Sequence, residues 1–124
     1  MRSRYANRSA VDALLTGRRF DGLRADLDCA PAGERAVVLS EFGGVALAND
    51  AEGGAWGYTT AASPEDLLRR YREQWAAVHD SSALAGACWT QLTDTYQEAN
   101  GLVRADRTPK IPLEQLAAAT KGRS

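Results

Sequence analysis

The spacing of apolar residues changes along the chain, and each change predicts a new element. Ser9 can cap a helix over residues 10–16, with Asp12 at its third position and Gly17 as a stop. Phe20, Leu23 and Leu27 then recur at helical spacing until Pro31 and Gly33 break the pattern. From Ala36 the apolar run is continuous. Ala36-Val37-Val38-Leu39 leads into Ser40-Glu41-Phe42-Gly43-Gly44, which reads as a strand buried on both faces. Residues 49–62 read as a long polar, glycine-rich connection. Ser63-Pro64-Glu65-Asp66 is a helix start, with a capping serine, proline at the first helical position and acids in the first turn. Leu67, Leu68, Tyr71, Trp75 and Val78 continue it as one apolar stripe to about residue 79. Residues 83–92, rich in small apolar side chains, read as a second buried strand. A polar segment follows, and Pro112 opens a last helix with Leu113, Leu116 and Ala117 as its stripe and Gly122 as its stop. The order strand, loop, helix, strand is the βαβ unit of a parallel sheet.

Composition narrows the function classes. The chain has 124 residues, 44% hydrophobic and 25% charged, which suits one small globular domain. Fifteen basic residues against 16 acidic ones leave a net charge of −1, so no global electrostatic case exists for nucleic acid or an anionic membrane as partner. No apolar run approaches the ~20 residues that span a bilayer. The basic N-terminus lacks the apolar stretch of a signal peptide. Cys29 and Cys88 stand without metal-ligand spacing, and free thiols in a reducing, cytoplasmic setting are the default reading.

Candidate chemistry concentrates at Glu41. A carboxylate at the C-terminal tip of a buried parallel strand is where barrel enzymes keep their reacting groups, and the two glycines behind it are expected to keep the space around it open. Taken alone, the stretch also fits a carboxylate that is merely the first polar residue after a strand. Trp56 and Tyr58 lie in the connection. Tyr58 reads as a packing residue, whereas Trp56 fits packing and ligand contact equally. The basic pair Arg18-Arg19 reads as a solvated helix end, and His79, the only histidine, as a cation favoured at a helix C-terminus.

Several blocks together carry a resemblance. Leu39-Ser40-Glu41-Phe42-Gly43-Gly44, Trp56-Gly57-Tyr58, residues 85–94 (AGACWTQLTD), Glu98-Ala99-Asn100-Gly101-Leu102 and Arg107-Thr108-Pro109-Lys110 resemble the C-terminal end of the catalytic barrel of glycoside hydrolase family 2, which contains β-galactosidases, β-glucuronidases and β-mannosidases. The resemblance covers residues 36–120, with residues 1–35 as a helical lead-in. It implies an α/β fold, the last two strands and helices of a (β/α)8 TIM barrel, and a retaining glycosidase; no cofactor and no metal-ligating residue is named from the sequence. Glu41 would be the nucleophile at the tip of the seventh strand, forming a covalent glycosyl-enzyme with a partner acid ~5 to 5.5 Å away. Trp89 would form the apolar floor under the sugar, Trp56 a further contact, and Gln91, Asp94 and Asn100 would bond sugar hydroxyls or the loop itself.

Two departures qualify what is implied. The family's acid/base is a glutamate after an asparagine, and no Asn-Glu pair occurs in the chain; Glu34, Glu98 and Asp94 lack the context to replace it. A full barrel needs roughly 200 residues or more, so this chain would be a C-terminal portion, inactive until the rest of the barrel is supplied in cis or in trans. Glu98 and Asn100 stand where glucuronidases carry an asparagine and a lysine that grip a carboxylate. Glu98 would repel a glucuronate, so the resemblance implies a neutral substrate such as a β-galactoside. The alternative is a non-catalytic carbohydrate-binding or complementing fragment, a reading burdened by the open sheet edges such a piece would leave.

Overall fold

The computed structural model describes residues 36–50 and 57–122. The helices expected over residues 10–16 and around 20–27, together with Cys29 and Trp56, lie outside the described residues. The elements run β1 (Val38–Gly43), β2 (Val45–Leu47), a 3-10 turn (Ala48–Asp50), β3 (Thr59–Ala61), α1 (Pro64–Asp80), β4 (Gly86–Thr90) and α2 (Leu113–Thr120). β1 pairs with β4 in parallel across α1, as the βαβ reading predicts. Among the described residues no helix is long and apolar enough to cross a membrane.

The expectation of one strand buried on both faces is corrected in two ways. Val37 and Val38 are 41% and 57% exposed, and Phe42 is the fully buried residue of β1. The run also divides at Gly44, whose N–H donates to Thr90 O at 2.7 Å while its own carbonyl accepts from Tyr58 N–H at 2.9 Å. Gly44 therefore ends the pairing with β4 and begins that of β2 with β3, a second parallel pair in register Val45 to Thr59, Ala46 to Thr60 and Leu47 to Ala61. The structureless connection expected over residues 49–62 thus contains β3. Thr59 and Thr60 gave no apolar signal because only Ala61 of this strand is buried.

One face of β1 and β4 meets α1. Phe42 packs edge-on against Trp75 and Trp89, with ring centres 5.0 and 5.2 Å apart. Tyr71 lies 4.6 Å from Trp89. These rings, with Leu67, Val45 and Leu47, form the centre of the core. α1 follows the predicted stripe, and Gln74 and Ala77 are buried beside it.

α2 docks by a different stripe from the one expected. Leu116 and Ala119 are buried, whereas Leu113 is 55% exposed and Ala117 faces solvent. The helix is short and its C-terminal end is pinned to α1, which sets its rotation. The Thr120 hydroxyl donates to Leu116 O at 2.8 Å, so it accepts from the Tyr71 hydroxyl at 2.7 Å. His79 Nε2 donates to Thr120 O at 3.0 Å, placing the histidine in the structural role read from sequence. Gly122, at φ 65°, follows the helix C-cap and stops the helix as expected.

The N-terminus of α1 makes a pH prediction. Ser63 Oγ accepts from Asp66 N–H at 3.2 Å, and Asp66 Oδ2 accepts from Ala62 N–H and Arg70 Nε, both at 3.1 Å. Arg70, the Ala62 N–H and Arg69 hold the Asp66 carboxyl far below the usual carboxylate range. Glu65 and Asp106 are lowered as well, chiefly by the Ser63 hydroxyl and the Thr108 N–H. A depressed folded pKa stabilises fully above the unfolded value near ~3.9, and that contribution fades as pH falls towards the folded value. Melting temperature is therefore expected to drop between about pH 5 and pH 2, and Asp66→Asn to flatten that drop. An equally steep acid limb in the variant would contradict this account.

Candidate functional site

Glu41 owes its position to a break in strand alternation. Val38 and Leu39 face Gly86 and Ala87, and Phe42 and Gly43 face Trp89 and Thr90. Between these pairs two residues of β1, Ser40 and Glu41, stand opposite one residue of β4, Cys88. Regular alternation would send Glu41 to the same face as Leu39, which packs against the core. The extra residue shifts the phase, so that Leu39 and Phe42 both face inward while Ser40 and Glu41 are exposed. The Glu41 carboxylate has no hydrogen-bond or ion-pair partner among the described residues.

The glycines behind Glu41 do not open space around it. A β-carbon on Gly43 would stand 2.6 Å from the Trp89 indole, and one on Gly44 2.1 Å from the Tyr58 ring. Both residues also have positive φ, 97° and 69°, which favours glycine on conformational grounds. The room they leave is therefore filled by two aromatic rings. Tyr58 covers Gly44 yet is 65% exposed itself, so it packs with one face and meets solvent with the rest.

The remaining site candidates surround the C-terminal end of β4. Trp89 is 9% exposed and enclosed by Phe42 and Tyr71, with its Nε1 unpartnered among the described residues. Gln91 follows a cis Thr90–Gln91 peptide bond. It is half-buried, its carbonyl accepts from Leu102 N–H at 3.1 Å, and its Nε2 is buried with no partner among the described residues. Asn100 is 1% exposed, and neither side-chain polar atom has a partner among the described residues. Asp94 is engaged by its own loop, Oδ1 accepting from Gly101 N–H at 2.7 Å and from Lys110 Nζ at 2.8 Å. A β-carbon on Gly101 would lie 2.3 Å from Asp94 N, so this loop closes only around a glycine. Glu98 ends a tight turn that begins at Thr95.

Sequence reading missed the charged group under this loop. The Lys110 side chain is wholly buried; Nζ donates to Asp94 Oδ1 and to Ala99 O, both at 2.8 Å, and lies 3.6 Å from Asp50 Oδ2. Arg104 Nε bonds the other Asp50 oxygen at 3.1 Å. The position of Lys110 between Pro109 and the apolar Ile111 was the available signal, since Ile111 is 2% exposed and carries its neighbour inward. Asp50 and Arg104, 54 positions apart, left none. Among the described residues no cluster of histidine, cysteine or carboxylate side chains can hold a metal.

No protein-family model matches the sequence, and no curated protein matches it. Among solved structures the chain is similar to part of an exo-β-agarase, with a TM-score of 0.55 and 22% identity over 68% of this chain and 12% of that one. At this identity the likeness is one of fold. It is a small mixed α/β assembly with parallel strands and two helices, shared with one segment of a far longer protein.

Proposed function

We propose that the chain is the C-terminal part of a retaining β-glycosidase barrel of the family 2 kind, acting on a neutral β-glycoside with Glu41 as nucleophile. The observation that carries this reading is the bulge that turns Glu41, unpaired, out of the core near the C-terminal end of a parallel strand. Bulges of this kind re-aim side chains beside active sites, and an uncommitted carboxylate is what attack on an anomeric carbon requires. Similarity to a segment of an exo-β-agarase, itself an enzyme of glycosidic bonds, supports the class. Gln91 is the partly exposed polar candidate at the strand tip; its Nε2 is buried, so it would meet a sugar hydroxyl through its amide oxygen. Trp89 would offer only the edge its packing leaves uncovered, and Asn100 and Asp94 would act from beneath by holding the loop. The acid/base would come from barrel strands outside this chain, so activity requires those strands in cis or in trans.

The test is covalent trapping in the complete enzyme, encoded together with the upstream reading frame. A fluorinated glycoside that forms the glycosyl-enzyme but hydrolyses slowly is expected to label Glu41, located by peptide mass. A label on another carboxylate would overturn the assignment.

A further inference from the structure

A concave feature beyond β4 shares Asp94 and Glu98 with the reading above but adds Tyr96, which that reading does not use. The turn Thr95–Glu98 is closed by two backbone bonds, Thr95 N–H to Glu98 O at 3.0 Å and Glu98 N–H to Thr95 O at 2.8 Å. Tyr96 stands on this turn and is 99% exposed. It borders an open cleft of about 300 Å³ whose other walls include Asp50, Asp94, Thr95, Glu98 and Arg104. Glu41 is not among the lining residues.

Charge and rigidity narrow what such a cleft can hold. Its floor is already paired, because Asp94 is engaged by Lys110 and Asp50 by Arg104 and Lys110. Three carboxylates against two cations leave it near neutral. An anion would meet Asp50, Asp94 and Glu98, while a divalent cation would have to compete with the lysine and arginine already paired with Asp50 and Asp94. A neutral, hydroxyl-rich ligand suits the remaining groups, namely the Thr95 hydroxyl, the Glu98 carboxylate and the Arg104 guanidinium. Tyr96 adds a flat apolar face on a backbone with little freedom left to lose, and a tyrosine side chain has few torsions to freeze. The volume lies at the small end for ligand clefts, room for about one or two sugar rings.

We propose that this cleft binds neutral oligosaccharide, with one sugar ring lying on Tyr96 and hydroxyls bonded to Thr95, Glu98 and Arg104. β1 and β4 are parallel and this loop leaves the C-terminal end of β4, so the cleft opens at the end of the sheet that carries Glu41. If the glycosidase reading holds, the cleft is an outlying subsite for a polymeric substrate. The binding itself does not depend on turnover.

Saturation-transfer NMR on the full 124-residue chain tests the proposal, with neutral tetrasaccharides of β-linked galactose, mannose and glucose as probes. At least one is expected to bind at millimolar concentration, with Tyr96→Phe retaining binding and Tyr96→Ala weakening it by roughly fivefold or more. Tyr96 is fully exposed, so the melting temperature of both variants should be unchanged. A sulfated tetrasaccharide and calcium ion should show no binding at these residues. Absence of binding by all three neutral probes, or binding indifferent to Tyr96→Ala, overturns the proposal. Glu41→Gln should leave this binding intact; oligosaccharide held in the cleft of an enzyme that fails to trap at Glu41 would sustain the cleft and remove the catalytic reading.

Discussion

On the proposed reading, Glu41→Gln is expected to reduce turnover by the complete protein on the order of 10⁴- to 10⁶-fold while leaving the melting temperature within about a degree or two. The activity loss follows from chemistry. An amide is a poor nucleophile and cannot form the ester-linked glycosyl intermediate, so both half-reactions fail together. The unchanged stability follows from structure, because Glu41 is exposed and no described residue uses its carboxylate as a partner. Restoration of glycoside cleavage by added azide, with inverted product, would mark the lost group as the nucleophile. Wild-type hydrolysis in this variant would remove Glu41 from the mechanism. Lost turnover accompanied by a large fall in melting temperature would assign it to the fold instead.

Lys110→Met carries the largest expected effect on stability. The substitution keeps most of the side-chain volume and removes the cation from a site with no solvent access. Asp94 then loses its buried partner and Ala99 O its donor, while Asp50 keeps Arg104. Breaking a buried pair by removing one partner costs ~3–5 kcal/mol, and the lower end applies here because Asp94 and Asp50 retain some exposure. Against a total stability of ~5–15 kcal/mol for a domain, that removes roughly a fifth to a half of the total. Adding Asp94→Asn should recover part of the loss, since the second change removes the orphaned charge. Urea unfolding of the complete protein checks both. A single-variant cost below ~1 kcal/mol would show that the lysine is not what holds the loop.

These two residues differ in how far sequence could reveal them. Glu41 was legible because it ends an apolar run and precedes paired glycines, features that lie side by side in the chain. Its exposure, however, depends on the bulge, which exists only through the register of β1 against β4. Lys110 was legible only as part of a motif. Its role comes from Asp94, Ala99 and Asp50, the last 60 positions away, brought beneath one loop. α1 was read correctly from end to end because capping, proline placement and apolar spacing are local, and local propensity agreed with the burial it meets. α2 was located correctly, but its buried face was not, since that face is set by the bonds of Thr120 to Tyr71 and His79 rather than by its own composition.

By itself the sequence determined the order of the main elements, the parallel sense of β1 and β4, the limits of α1 and the choice of Glu41 as the residue to test. All of these rest on periodicity and short-range chemistry. Tertiary structure alone decided that the apolar run divides at Gly44 between two strand pairs, that Trp89 and Tyr58 fill the space beside the paired glycines, and that a buried lysine anchors the loop beyond β4. Each of these depends on groups far apart in the chain meeting at hydrogen-bond or van der Waals distance, and residue spacing along one chain carries no record of such meetings.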